Sequence, residues 1–294
     1  MEVLLTGGTS YLGSVIARVL EKDYSLMQLN FPDTTSSLHF EGPNRVKITI
    51  HAACKLATVV RTVAEEKAYV ARCMQETTKL LHWLETNGLP EQFVMISSVA
   101  VYGREVGDRI NEDYLLAAKD CYGRTLIAVE ELVTKWCADK GVLLTVLRLP
   151  LVAGKGDSGN FGAMCRAISK GYYFNIGGGQ AKKSMVLAED VAAFIPEIAR
   201  VGGVYNLTDG EHPTFRTLSE AIAKSLNKKN PLNLPLLITQ FLGKIGDLFG
   251  NRSPLSTSKI VKMTSDLTFD DSKVRTVASW QPKSVVDWCK TNNL

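Results

Sequence analysis

The chain begins with a short apolar segment that runs into a glycine-rich turn and then into a helical pattern. Residues 3–5 predict a buried strand, and apolar side chains recur at helical spacing over 11–22. Gly7 and Gly13 stand at the outer positions of the turn, with Ser10 at the middle one. A strand, a glycine turn and a helix place backbone N–H groups and a helix N-terminus against a pyrophosphate. The pattern therefore predicts a dinucleotide-binding unit, with a tight turn that binds nothing as the alternative.

Strand and helix patterns alternate along the first half of the chain. The strands are predicted at 2–6, 25–30, 46–51, 93–98 and 142–149, and the helices at 11–22, about 56–87 and about 120–140. Alternation of this kind predicts an α/β fold with a doubly wound, Rossmann-type parallel sheet. Shorter elements follow Pro150, namely a strand near 184–187, a helix from Glu189, a strand at 203–207 and a helix at 214–227.

This change of pattern divides the chain into two predicted domains. A dinucleotide-binding domain is predicted at 1–153 and a smaller, mixed substrate domain at 154–294. The alternative is that the strand near 203–207 returns to the first sheet, so that the boundary at 153–154 would not separate the two domains cleanly.

The composition argues against several other classes of protein. A net charge of +4 over 294 residues, with scattered Lys and Arg, is typical of a solvated surface and disfavours nucleic-acid binding. The cysteines form no CxxC pair and the histidines no cluster, so no metal site is predicted. No apolar run reaches membrane-spanning length, and the chain starts directly with a strand rather than a signal peptide. We therefore expect a cytoplasmic protein without an integral membrane segment.

The segment 232–249 is the strongest candidate for contact with a membrane surface. It is apolar but contains Pro235, Gly243 and Lys244. We interpret it as a loop and an amphipathic helix that packs on the body or covers a site, with membrane contact as the lesser alternative.

Hydroxyl groups mark the candidate chemistry in the middle of the chain. Ser97 and Ser98 come at the end of a predicted central strand, at the edge where open α/β sheets bind ligands. Tyr122 follows near the start of a predicted helix.

These motifs, taken in order, resemble the extended short-chain dehydrogenases/reductases, specifically the NAD-dependent epimerase/dehydratase family that acts on nucleotide sugars. The matching segments are TGGTSYLG at 6–13, IHAA at 50–53, SSVAVYG at 97–103, INED at 110–113, YGRT at 122–125, LRLP at 147–150, GNFGAM at 159–164, KSMVLAEDVA at 183–192 and YNLTDG at 205–210. Their shared order carries the resemblance over most of the chain.

The resemblance implies a cofactor, a substrate and roles for particular residues. The implied cofactor is NAD or NADP, held by Gly7, Ser10, Tyr11, Leu12, Gly13, Asn30, Ala52 and Ala53. Tyr122 would exchange a proton with a sugar hydroxyl during hydride transfer, while Ser98 holds the reacting oxygen. Asn160 and Lys183 match positions that meet the diphosphate of a nucleotide sugar. The family often pairs through a four-helix interface, so helices 56–87 and 120–140 would form a homodimer.

The chain departs from the family at the residue that activates the tyrosine. The family has a lysine four residues after the tyrosine, where the two side chains share a helix face. The lysine charge lowers the phenol pKa and the ammonium holds the nicotinamide ribose, but this chain has Leu126. An ordinary tyrosine is ionised in roughly one molecule in a thousand at neutral pH, so proton transfer would slow by about a thousandfold.

Two further departures concern the cofactor. Ser10 replaces the second glycine, so its Cβ crowds the pyrophosphate or its hydroxyl donates to it. The second strand ends in Asn30 rather than in an acidic residue that would hold the adenosine ribose. The front half also lacks about one strand and one helix of the family, which leaves the adenine pocket open or rebuilt by the loop 31–44.

Three functions remain open from the sequence. The first is an NAD(P)-dependent epimerase or 4-keto reductase acting on a nucleotide sugar, in the synthesis of surface-polysaccharide precursors. Val99 and Ala100 stand where the dehydratases of the family carry Asp-Glu, which disfavours a dehydratase. The second is a catalytically impaired member that binds a nucleotide or a sugar nucleotide, which Leu126 and Ser10 favour. The third is an interaction protein without a ligand.

Overall fold

Parallel strands form a central sheet with helices on both faces. The computed structural model describes residues 2–29, 46–52, 62–157, 159–240, 257–292 and 294. The strands are β1 Glu2–Thr6, β2 Ser25–Leu29, β3 Ile48–His51, β4 Gln92–Ser98, β5 Gly107–Ile110, β6 Leu143–Leu149, β7 Leu151–Ala153, β8 Phe174–Ile176, β9 Met185–Leu187, β10 Gly203–Asn206, β11 Leu232–Leu234 and β12 Leu267–Phe269. The helices are α1 Tyr11–Leu20, α2 Val63–Asn87, α3 Cys121–Lys140, α4 Asn160–Ser169, α5 Ala188–Ile198, α6 Phe215–Ser225, α7 Thr257–Thr264, α8 Ser272–Val277 and α9 Val285–Thr291.

The six-stranded sheet has the order β10-β6-β4-β3-β1-β2, and every adjacent pair is parallel. Helices α1 and α5 pack on one face of this sheet, and α2 and α3 pack on the other. The central strands β1, β3 and β4 are therefore covered on both sides, which explains why they read as nearly continuous apolar runs. This arrangement confirms the predicted Rossmann-type fold.

The second half of the chain both adds to this sheet and builds its own small sheets. Strand β10 pairs with β6, with Val204 opposite Val146. The strand predicted near 203–207 therefore returns to the first sheet, which was the alternative given above. Beyond residue 150, β7 pairs with β9 and β8 pairs with β11. Strand β12 reaches back to pair with β5. The division of the chain at 153 and 154 stays a prediction.

A buried histidine fixes the strand that carries the glycine turn. The Nδ1 atom of His51 lies 2.6 Å from the Thr6 hydroxyl, and its Nε2 atom lies 3.0 Å from the Thr77 hydroxyl on α2. Burial lowers the pKa of His51 to about 4, so the ring is neutral at neutral pH. The neutral ring links β1, β3 and α2 directly beneath Gly7, where the chain turns toward α1.

Candidate active site

The glycine turn between β1 and α1 is built as a helix N-terminus that faces a cavity. Gly7 has a φ of 78°, which favours glycine. A Cβ on Gly13 would lie 2.1 Å from the Gly7 carbonyl oxygen, so the turn closes tightly only with glycine at position 13. Ser10 caps the helix, because its hydroxyl accepts a hydrogen bond of 3.0 Å from the Gly13 N–H.

This turn can hold a pyrophosphate. Ser10 has a φ of −75° and a ψ of 159°, an extended conformation that needs no glycine. The first-turn N–H groups at Tyr11 and Leu12 have no partner within the helix, and the helix dipole favours an anion there. The Tyr11 hydroxyl is buried and has no hydrogen-bond partner among the described residues. Burial and the nearby Glu189 carboxylate raise its pKa, so it remains a donor. The residues present therefore fit a dinucleotide.

A cavity of about 180 Å³ lies at the carboxyl edge of the central sheet; we call it the cofactor cavity. Several of the predicted site residues line it together. These are Ser10, Tyr11 and Leu12 after β1, Ala52 after β3, Ser98 at the end of β4 and Tyr122 of α3. Parallel strands end at one edge, so side chains far apart in sequence meet there.

The start of α3 is held close to the end of β4. Ser98 is the last residue of β4, and its hydroxyl accepts from the Ala100 N–H at 3.2 Å. A Cβ on Gly123 would lie 2.7 Å from the Ala100 carbonyl oxygen, so the absence of a side chain lets α3 approach this strand end. Tyr122 and Ser98 consequently line one cavity, as their predicted roles require.

Leu126 also lines the cofactor cavity, one helical turn beyond Tyr122, and is 1% exposed. Among the described residues, no Lys or Arg side chain lines this cavity. Arg124, the nearest cationic residue along α3, forms an ion pair with Glu66 of α2 instead. No lining residue of the described chain therefore supplies the charge that the family's lysine brings to the tyrosine.

A buried ion pair joins α3 to the strands behind the cavity. Arg148 of β6 donates to the Glu130 carboxylate of α3 at 2.7 and 3.2 Å, and both side chains are 7% exposed. Ser97 donates to the same carboxylate. Arg148 also donates to the Tyr102 hydroxyl at 3.2 Å, which in turn donates to Asn206 of β10 at 2.8 Å. This network orients α3, which carries Tyr122, relative to the end of β4.

We predict that Arg148→Met lowers the free energy of unfolding by about 3–5 kcal/mol, because it leaves the Glu130 charge buried without its partner. Urea denaturation measures this change. The double variant Arg148→Met/Glu130→Leu should lose much less, since it removes both charges. Arg216→Met, which breaks an exposed pair with Glu220, serves as the control and should cost less than about 1 kcal/mol. Equal losses in the two single variants would contradict a stabilising role for the buried pair.

A second cavity, of about 590 Å³, adjoins the first at Pro150, which lines both; we call it the substrate cavity. Its polar groups include Asn160, the first residue of α4, and Lys183. The Lys183 ammonium donates to the Lys262 carbonyl at 3.0 Å and lies 6.0 Å from the Phe215 ring centroid. Burial lowers the pKa of Lys183. The two predicted substrate residues thus share a cavity that opens beside the predicted catalytic pair.

Sequence reasoning missed several residues that shape these cavities. Asp157 lines the cofactor cavity and caps α4, accepting from the Gly159 and Gly162 N–H groups at 2.8 and 2.9 Å. The sequence pattern does not predict a helix at 160–169, but an Asp at this position just before α4 is a capping signal that could have indicated both the helix and this residue. Tyr173 and Met263 line the substrate cavity, and no local pattern in the sequence signals either residue.

Some predicted positions fall outside the described residues. These are Asn30, the loop 31–44, Ala53 and the part of the segment 232–249 that follows residue 240. Within the described ranges, no group of three or more His, Cys, Asp or Glu residues could hold a metal ion. No helix in the described part of the chain is long and apolar enough to cross a membrane.

The fold and the two adjoining cavities define a Rossmann-type protein with a place for a dinucleotide beside a place for a second ligand. The sequence profile of the NAD dependent epimerase/dehydratase family matches residues 3–207, and the chain belongs to this family. The predicted resemblance is confirmed, and the family's dependence on NAD agrees with the predicted cofactor, NAD or NADP.

Characterised relatives are sugar 4-epimerases. An N-acetyl-α-D-glucosaminyl-diphospho-ditrans,octacis-undecaprenol 4-epimerase of Escherichia coli O157:H7 is 25% identical, with 92% of this chain and 88% of the relative covered. A UDP-glucose 4-epimerase of Vibrio cholerae is 24% identical, with coverage of 95% and 90%. The crystal structure of a Thermotoga maritima UDP-glucose 4-epimerase with UDP-glucose superposes with a TM-score of 0.72 at 20% identity, over 99% of this chain and 96% of that one.

Proposed function

We propose that this protein is an NAD(P)-dependent 4-epimerase of sugars that are linked to a diphosphate. The observation that carries the proposal is the shared cofactor cavity, which joins Tyr122 and Ser98 to the N-terminus of α1 and opens at Pro150 toward Asn160 and Lys183. A sugar placed at this junction would contact both hydroxyls while its diphosphate extends toward the lysine.

The residues of the site divide the chemistry between them. A nicotinamide dinucleotide, held by the α1 N-terminus, would supply reversible hydride acceptance at the sugar carbon. Ser98 would hold the sugar 4-oxygen by a hydrogen bond, and Tyr122 in its phenolate form would take the proton from that oxygen and later give it back. The diphosphate would lie against the Lys183 ammonium, which burial has partly stripped of water and which therefore interacts more strongly.

The relatives differ in the group that is linked to the sugar through the diphosphate. One relative acts on a sugar linked to undecaprenol and another on a UDP-sugar. Both support an epimerase rather than the 4-keto reductase that the motifs also predict. The undecaprenol-linked relative further supports a place in surface-polysaccharide precursor synthesis.

One observation favours a second candidate, a protein that binds the sugar diphosphate with little or no turnover. Leu126 fills the lysine position, and no cationic side chain of the described residues lines the cofactor cavity. In this case the two cavities would still take their ligands, and only the proton transfer at Tyr122 would fail.

The deciding experiment combines ligand detection with turnover. We expect native mass spectrometry of the purified protein to find a nicotinamide dinucleotide, and incubation with UDP-N-acetylglucosamine or UDP-glucose to yield the 4-epimer by chromatography. Saturable binding of both ligands without any product would support the binding protein. The absence of both binding and product would contradict the proposed function.

A further inference from the structure

Exposed apolar side chains collect beside the substrate cavity. They come from β8 and the turn before it, from β11 and the residues that follow it, and from α7; we call this surface the apolar rim. Its members are Tyr172, Phe174, Leu232, Leu236, Leu237, Ile238 and Val261. They are half of the large apolar side chains exposed on the described part of the chain. Because β11 pairs with β8 and α7 packs on β8, they come from neighbouring elements and form a patch.

The pairing of two short strands explains why the rim points outward. Leu232 lies opposite Phe174 in the parallel register of β11 and β8, so the two side chains share one face. The alternate residue, Asn175, is buried and bonds to Asn233 and to Ser219 of α6, each at 3.1 Å. The polar contacts hold the ribbon to the body from its inner side and leave the apolar face in water.

The rim is continuous with the mouth of the substrate cavity. Tyr173, between Tyr172 and Phe174, lines the cavity, as does Met263 of α7. Leu236 and Thr264 of α7 both lie beside Gly177, where an added Cβ would meet Thr264 at 2.8 Å and Leu236 at 3.4 Å. A surface bound to the rim would therefore adjoin a ligand in the cavity.

Lysines outnumber acidic residues around the rim, where Glu105 pairs with Lys262 of α7 and Asp266 accepts from the Lys182 N–H. Lys228 and Lys229 are exposed and lie just before β11, separated from Leu232 by Asn230 and Pro231. The stretches 170–183 and 224–240 contain six lysines and neither Asp nor Glu. Apolar side chains flanked by lysines fit the surface of an anionic lipid bilayer. The apolar side chains would enter the boundary of the acyl chains, and the lysines would meet the anionic headgroups.

We propose that the apolar rim docks this protein on an anionic bilayer and that the substrate cavity takes its sugar as a polyprenyl diphosphate from that bilayer. The second part rests on the proposed function. A lipid-linked substrate needs an enzyme whose cavity opens at the membrane, and the continuity of rim and cavity provides this arrangement.

Docking can be tested by sedimentation of the full chain with vesicles. We expect the protein to bind vesicles of phosphatidylethanolamine with phosphatidylglycerol, to bind phosphatidylcholine vesicles more weakly, and to lose binding severalfold at high salt. The triple variant Leu232→Ser/Leu237→Ser/Ile238→Ser should bind the anionic vesicles at least about tenfold more weakly. All three side chains are exposed, so the fold should tolerate the change.

A matched control comes from apolar residues that are exposed elsewhere. The triple variant Val63→Ser/Val106→Ser/Leu115→Ser removes side chains of similar exposure, for example Leu115 at 76% against Leu237 at 80%, and should bind vesicles like the wild type. Wild-type protein that stays in the supernatant, or an equal loss in both triple variants, would overturn the docking. Light scattering offers a further test. A wild type that is a dimer and a rim variant that is a monomer with unchanged vesicle binding would also overturn the docking, because a second copy of the chain would then cover the rim.

The substrate part has its own readout. We expect the wild type to epimerise a polyprenyl-diphospho-N-acetylglucosamine held in vesicles, and the rim variant to lose about tenfold of this rate while keeping its rate on a water-soluble UDP-sugar. Turnover of the UDP-sugar alone would contradict the lipid-linked substrate. Vesicle binding without turnover of either sugar would reject the proposed function and leave the docking standing.

Discussion

Replacing Leu126 by lysine is expected to raise epimerase turnover by about 100- to 1,000-fold. Leu126 lies one turn beyond Tyr122 and lines the same cavity, so an ammonium at this position would favour the phenolate and could bind the nicotinamide ribose. The upper bound follows from the fraction of ordinary tyrosine that is ionised at neutral pH, which is about one in a thousand. Initial rates on the sugar diphosphate and calorimetric titration with NAD(H) measure the two effects.

The control for this change is Leu126→Met, which keeps an apolar side chain of similar volume and should leave turnover unchanged. The lysine variant also carries a cost, because its amine enters a site where the leucine is 1% exposed. Urea denaturation of both variants separates that cost from the catalytic gain. A lysine variant that folds yet changes neither turnover nor NAD(H) affinity would mean that Tyr122 does not act on the substrate.

Tyr122→Phe is expected to reduce turnover by about 100- to 10,000-fold, both in the wild type and in the Leu126→Lys background. The substitution removes one oxygen and leaves the ring in the cavity wall, so sugar and nucleotide should still bind. Product formation and calorimetric affinities give the two readouts. Ser98→Ala should act in the same direction, because it removes the group proposed to hold the sugar oxygen.

Tyr114→Phe provides the comparison for the tyrosine change, since Tyr114 is 41% exposed and stands outside the proposed chemistry. Its turnover should equal that of the wild type. If Tyr122→Phe retained full turnover in the lysine background, the proton would have to pass through another group, and the catalytic assignment of Tyr122 would be wrong.

Much of the fold could be predicted because its signals are local. The apolar strand, the glycine turn and the helix that follows are read within about twenty residues, and α1 begins at Tyr11 where the pattern places it. Ser98 was placed at the ligand-binding edge by a topological rule, that parallel strands deliver their carboxyl ends to one edge, and its pairing with Tyr122 came from the family resemblance. Neither prediction needed knowledge of distant contacts.

The substrate cavity and the buried network depend on contacts between residues that are distant in sequence, so they could not be predicted from the chain. Met263 reaches the cavity from α7, about a hundred residues beyond α4, and such pairings leave no periodic trace. Nothing local in the sequence joins Glu130 to Arg148, and only the packing of α3 on β6 reveals that the two side chains pair in the interior. Asp157 was accessible as a capping signal, but its place at the cofactor cavity was not.

Strand β10 comes from the second half of the chain but completes the sheet of the first half, so the two halves depend on each other. Because β10 covers the edge of β6, and α5 packs on α1, a gene fragment encoding only the first half would expose an unpaired edge and a bare apolar helix face, which invite aggregation. Recombination could not exchange the second half of this protein as a separate unit. New substrate preferences in this lineage would therefore have to arise by substitutions and loop changes within an intact chain.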